Sequence, residues 1–109
     1  MAYQIAITDV ATSHLRSLSA RDRRVVEAAI ITKLVDQPTI QTTAVRRLRP
    51  NPCAECELRV GRMRVLYNVD EDRAEVLLLL IAVKSGNKLI VKGEEVHGHR
   101  SESRQSPAE

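Results

Sequence analysis

Phenylalanine and tryptophan are absent from this 109-residue chain, and tyrosine occurs only at Tyr3 and Tyr67. A platform that stacks single-stranded bases needs several exposed rings, so that route to nucleic-acid binding is closed. Cysteine is nearly as scarce: Cys53 and Cys56 form one "CAEC" and nothing else. A structural zinc site takes four ligands, and His97 and His99 stand too close together for the usual histidine spacing. A redox pair would want a βαβ context that this sequence does not offer. The expectation is two reduced thiols filling apolar positions, with no metal and no cofactor. No apolar run approaches the ~18 residues of a membrane span. The opening "MAYQIAITDV" has neither a basic stretch nor a long apolar one, so a secretory signal is not expected and the cytoplasm is the default.

What the chain has is arginine, unevenly placed. Its net charge is only +3, yet the segment 46–64 alone carries +4. Six arginines lie there (Arg46, Arg47, Arg49, Arg59, Arg62, Arg64) against Glu55 and Glu57, with no lysine. A solvated surface accounts for any one of them. Six together, each a planar fork suited to phosphate or carboxylate, point to an anionic partner: nucleic acid or an acidic peptide.

The length fits one small domain. "YQIAIT" reads as a strand, with Thr8 or Asp9 placed to cap a short helix carrying Val10, Leu15 and Leu18. His14 falls mid-helix, as a structural or solvated residue. Ser19 opens a second helix, with Asp22 three residues on as in a capping box. Its apolar face is Val25, Val26, Ala29, Ile30, Leu34 and Val35, and Pro38 marks its end. The short connection predicts an antiparallel helical hairpin. A short strand around Val45 to Leu48 is stopped by Pro50 and Pro52. "ELRVGRMRVLYN" then alternates apolar and polar residues about a two-residue turn at Gly61-Arg62, with glycine where a type II′ turn wants it. The eight apolar residues from Val76 to Val83 suggest a central strand covered on both faces. "LIVKGEEV" supplies a last short strand or turn. Residues 97–109 are polar and expected to be disordered.

Helices before a meander predict an α+β domain over residues 1–96: an N-terminal strand and helical hairpin on one face of a small antiparallel sheet. The first strand pairs most simply with the sheet's edge. The hairpin register sets Leu58, Val60, Met63, Val65 and Tyr67 towards the helices. Arg59 and Arg64 then face each other on the open side, where like charges directly opposite are destabilising. Both are expected to be exposed. Either Glu57 and another acid neutralise them, or an anion sits between them.

The order of elements, with "LRPNP", "ELRVGRMRVLYNVDED", "VLLLLIAVKSGNKL" and "GEEV", resembles the RelE/ParE superfamily of type II toxin–antitoxin toxins. The likeness runs from about Tyr3 to Val96. The RelE-like branch implies a metal-independent, ribosome-dependent mRNA endoribonuclease, whose open sheet face stabilises attack of a 2′-hydroxyl on the adjacent phosphate. The ParE-like branch implies a DNA gyrase inhibitor. Both imply a cognate antitoxin. By resemblance, Arg64 falls at a phosphate-binding arginine, with Arg59 opposite it. Lys84 and Lys88 fall near a second basic position, and Arg46, Arg47 and Arg49 near basic residues of the preceding strand. Arg62 joins these as an RNA- or antitoxin-binding candidate. The aromatic residue of the family's C-terminus has no counterpart, and His97 or His99 is the available acid–base replacement. An inactive antitoxin-binding homologue and, outside the family, a small basic nucleic-acid-binding module are the alternatives.

Overall fold

Two helices pack on one face of a single mixed sheet in the computed structural model, which describes residues 2–91 and the backbone of 94–96. The elements are β1 (Gln4–Ile7), α1 (Asp9–Ser17), α2 (Ala20–Leu34), β2 (Val45–Arg47), β3 (Cys56–Val60), β4 (Met63–Asp70), β5 (Glu75–Ser85), β6 (Lys88–Val91) and β7 (Glu94–Val96). The α+β architecture predicted from the sequence is the one observed, except that the sheet is mixed rather than antiparallel, because β1 joins it in parallel. Residues 97–109, the expected tail, lie outside the described residues, as do His97 and His99.

Both helix starts follow side-chain chemistry. Thr8 caps α1: its Oγ1 accepts the Ala11 N–H at 3.1 Å and donates to the Leu78 carbonyl at 3.0 Å. One hydroxyl thus satisfies an orphan helical donor and pins the helix to β5. Ser19 caps α2 by accepting the Asp22 N–H at 3.1 Å. Asp22 itself faces Arg62 at 3.9 Å. The inward stripe of α1 is Ala11, His14, Leu15 and Leu18, at i, i+3, i+4 and i+7. Val10, expected inside, is 56% exposed, one position out of phase with that stripe. His14 is buried, and its Nδ1 accepts the Ile81 N–H at 3.3 Å. It supplies an acceptor to β5 just past the reach of β1.

The helix-side core joins Ala11, Val26, Ile30 and Leu34 to Leu58, Val60, Met63, Val65, Tyr67, Val76, Leu78 and Ile81. All five residues that the hairpin pattern sent towards the helices are in it. The turn agrees as well: Gly61 has φ +59° while Arg62 has a negative φ, as type II′ requires.

β1 pairs in parallel with the first half of β5, Gln4 opposite Glu75 through Ile7 opposite Leu78. The two intervening helices provide the long crossover that a parallel pair needs. β6 pairs only with Val83, Lys84 and Ser85, so the early edge of β5 is left open for β1. β5 is central, and a bulge divides it: Leu66 faces Leu80 while Tyr67 faces Leu78, leaving Leu79 unpaired. The extra residue resets the alternation. Val76, Leu78 and Ile81 enter the helix-side core, whereas Leu79, Leu80 and Ala82 join Leu66, Ala54 and Leu89 in a second cluster on the opposite face. The strand is covered on both sides, as its apolar run predicted.

Tyr67 is fully buried, and its hydroxyl donates to the Pro38 carbonyl at 2.6 Å. Burial pushes its phenol well above the ordinary value of 10.0. Burial likewise raises the Cys53 and Cys56 thiols above 9.0, with Arg47 pulling Cys56 partly back. The unfolded chain gives up these protons first. Stability should therefore be unaffected by these groups at neutral pH and fall as pH rises above about 9. The urea midpoint measured from pH 7 to 11 checks this. Tyr67→Phe should remove the part of the loss above pH ~10, while costing about 1–3 kcal/mol at neutral pH because the buried Pro38 carbonyl loses its donor.

Candidate anion-binding groove

On the face away from the helices, period-two alternation brings charged residues from four strands to one side. Arg46 of β2 lies opposite Glu57 of β3, and Arg59 of β3 opposite Arg64 of β4. Arg64 in turn faces Ala82 of β5, and Lys84 follows two residues later on the same side. A groove of about 370 Å³ opens here, lined by Arg46, Arg47, Leu48, Arg49, Glu57, Arg59, Arg64, Lys84, Asn87 and Leu89. Six cations line it against one carboxylate, Arg47 from the helix-side register of β2, where it lies opposite Cys56. Beside them Leu66, Ala82 and Leu89 form an apolar patch that keeps water from part of the site.

Two local devices shape the rim. Asn51 organises the loop between the prolines: its Oδ1 accepts from the Cys53 and Ala54 N–H groups, and its Nδ2 donates to the Arg49 and Ala54 carbonyls. The Leu48 N–H closes the loop's neck on the Glu55 carbonyl at 2.8 Å. Together they fix Arg49 beside the strands. At the other end, Ser85 pairs with Lys88 across a two-residue turn whose Gly86 has φ +62°. Only glycine adopts that conformation at low cost, and it brings Asn87 to the groove.

Arg64 corrects an expectation. It is 9% exposed, not a surface residue. Its Nη1 donates to the Gly61 carbonyl at 2.7 Å and to the Met63 carbonyl at 2.8 Å, so the guanidinium is anchored to the β3–β4 turn. Its Nε and Nη2 take no part in these two bonds. The physical reason for the burial is Ala82, a small neighbour over which a long side chain can lie. The repulsion between Arg59 and Arg64 is relieved locally: Arg64 is drawn to carbonyls, and Arg59 Nε lies 3.5 Å from Glu57 Oε1. That contact lacks hydrogen-bond geometry. Arg59 Nε is a buried donor with no hydrogen-bond partner among the described residues. It keeps the ion-pair contact with Glu57 and has a hydrogen bond left to give.

Of the residues singled out from the sequence, Arg46, Arg47, Arg49, Arg59, Arg64 and Lys84 line the groove. Arg62 and Lys88 do not. Arg62 sits on the exposed turn beside Asp22. Lys88, opposite Ser85, falls on the other side of the sheet from Lys84. Glu57 and Asn87 were not candidates. Glu57 shares the parity of Arg59, which the sequence pattern already showed. Asn87 follows from a turn whose geometry the sequence only hints at. Cys53 and Cys56 are free thiols set in different apolar clusters on opposite faces of the sheet. Among the described residues, no three His, Cys, Asp or Glu side chains are grouped to hold a metal, and no helix is long and apolar enough to cross a membrane.

No family model matches the sequence, and no curated protein matches it. Solved structures do match in three dimensions. A chain of the RelBE2 toxin–antitoxin complex from Mycobacterium tuberculosis superposes with a TM-score of 0.68 at 23% identity, covering 77% of this chain and 100% of that one. The isolated Escherichia coli RelE toxin gives 0.62 at 21% identity, over 77% of this chain and 86% of its own. A chain of the archaeal RelE–RelB complex from Pyrococcus horikoshii gives 0.56 at 20% identity, over 80% and 99%. The chain has the fold of the RelE toxins.

Proposed function

We propose that this protein is the toxin of a type II toxin–antitoxin system and acts as a ribosome-dependent mRNA endoribonuclease. The observation that carries this reading is the cationic groove, with an anchored arginine fork and an orphaned arginine donor on one sheet face. The RelE-like fold supports the toxin assignment, since the matched structures include toxin–antitoxin complexes. The groove favours ribonuclease over gyrase inhibitor, because a concentrated set of guanidinium forks suits a phosphodiester.

In this reading the scissile phosphate lies between Arg59 and Arg64. Arg59 Nε gains the acceptor it lacks, and Arg64 offers its remaining donors. Such bonds are charge-assisted and strengthen as negative charge grows on the phosphorus oxygens. Arg46, Arg49 and Lys84 hold the flanking backbone. The ribosome presents mRNA as an extended single strand, and phosphate contacts rather than ring stacking hold it here.

A cognate antitoxin, encoded beside the toxin, restrains it in the cytoplasm. Expression of the protein alone should arrest bacterial growth, and co-expression with the adjacent gene's product should relieve the arrest. That product should co-purify with the protein, and alanine in place of Arg46, Arg49 and Arg59 should weaken the complex. An absence of growth arrest, or of any adjacent partner, would count against the reading.

A further inference from the structure

Cleavage by an internal 2′-hydroxyl needs a group to take its proton, and the groove limits the choice sharply. Arginine stays protonated at all working pH values and has no acceptor. Lys84 is an exposed ammonium, and Asn87 is not a base. Among the described lining residues only Glu57 brings a carboxylate; His97 and His99 lie outside the described residues. Glu57 is 6% exposed, an unusual state for glutamate. No hydrogen bond among the described residues ties its carboxylate to the main chain. Its neighbour Glu55 differs, accepting the Val69 N–H at 3.2 Å. Glu57 is therefore held in place but not spent on holding the fold.

We propose that Glu57 is the general base of this site, a role that rests on the ribonuclease reading above. Glu57 precedes Arg59 by two residues on the same strand and the same face, and its Oε1 lies 3.5 Å from Arg59 Nε. A hydroxyl poised for attack stands about 3–3.5 Å from its target, and a general base about 2.6–3.2 Å from the hydroxyl. A phosphate that accepts from Arg59 Nε lies beside the carboxylate. A phosphate at Arg59 thus brings the adjacent 2′-hydroxyl within reach of Glu57. Glu57 takes the 2′-hydroxyl proton, the O2′–P bond forms, and the P–O5′ bond breaks. The leaving 5′-oxygen takes a proton from water. The products are a 2′,3′-cyclic phosphate and a 5′-hydroxyl, and the Glu57 proton returns to solvent. The ion pair with Arg59 positions the carboxylate on the groove side.

The test compares Glu57→Gln with the parent protein on ribosomes loaded with a short synthetic mRNA. Binding is measured separately on the same RNA carrying 2′-O-methyl groups, which cannot react. Glutamine keeps the shape and removes the base. Turnover should fall 10²-fold or more, while binding stays equal or tightens because a negative charge has left a cationic groove. Glu57→Asp, which withdraws the carboxylate, should fall between the two, and it carries the test if Glu57→Gln unfolds below the assay temperature. Turnover of Glu57→Gln within a few-fold of the parent would overturn the proposal. So would parallel loss of binding and turnover with a lowered melting temperature, which is the signature of a structural carboxylate. A parent protein that cuts nothing would instead overturn the ribonuclease reading, and this proposal with it.

Discussion

Arg64→Ala should reduce mRNA cleavage by about 10²–10³-fold, the usual loss when one preorganised donor to a developing charge is removed. Growth arrest should disappear with it. The same change should cost stability, because Arg64 is buried and its Nη1 bridges two carbonyls of the β3–β4 turn. Hydrogen bonds to charged groups contribute about 1.5–3 kcal/mol, so urea denaturation should report a loss of that order. The two effects separate by temperature: activity assayed well below the melting transition isolates the lost donor. Arg64→Lys should recover only part of the activity, since a point charge cannot reach two turn carbonyls and a phosphate as a fork does. A folded Arg64→Ala protein that remains as toxic as the parent, at equal expression, would remove Arg64 from the site.

Binding to uncleavable single-stranded RNA should be steeply salt-dependent. Each phosphate contact on a single strand contributes a slope of about −0.7 in log K against log salt. With six cations lining the groove, affinity should fall on the order of 10²–10³-fold between ~50 and ~200 mM salt if each meets a phosphate. Arg46 and Arg49 are exposed, so replacing both with glutamine should leave the fold intact. The slope should become shallower by about 1.4. Fluorescence anisotropy with a 2′-O-methyl RNA measures both quantities. A slope unmoved by the double substitution would mean that the RNA does not cross this part of the groove.

Much of this architecture was legible in the sequence, because local chemistry and the global fold agree. Thr8 and Ser19 announce both helix starts, and "ELRVGRMRV" fixes hairpin register, turn type and inward face at once. What stayed hidden depends on residues distant in sequence. The bulge at Leu79 lies inside an unbroken apolar run, where alternation carries no information about phase. The parallel pairing of β1 depends on where β6 stops along β5. Val10 misled because a stripe of only four residues, one of them a histidine, is easily shifted by one. The burial of Arg64 could not be read from the hairpin, since it needs Ala82 from a third strand and the carbonyls of the turn. Parity set Arg59 on the open face, whereas Arg46, Lys84 and Lys88 came from the resemblance without a register. Arg46, Arg59 and Lys84 line the groove, and Lys88 and Arg62 lie elsewhere, because neither a family likeness nor a charge count records which side of a sheet or turn a side chain occupies. Glu57 was weighed only as a neutralising charge. Its buried position inside the groove is what gives it a chemical role.

The most direct measurement is primer extension on mRNA from a defined translation reaction with the purified protein, followed by analysis of the new ends. The account predicts cuts only when the message is on the ribosome, no requirement for added metal beyond that of translation, and 5′-hydroxyl and 2′,3′-cyclic phosphate termini. Intact mRNA in that reaction, with growth arrest in cells accompanied by loss of DNA supercoiling, would contradict it and favour a gyrase target.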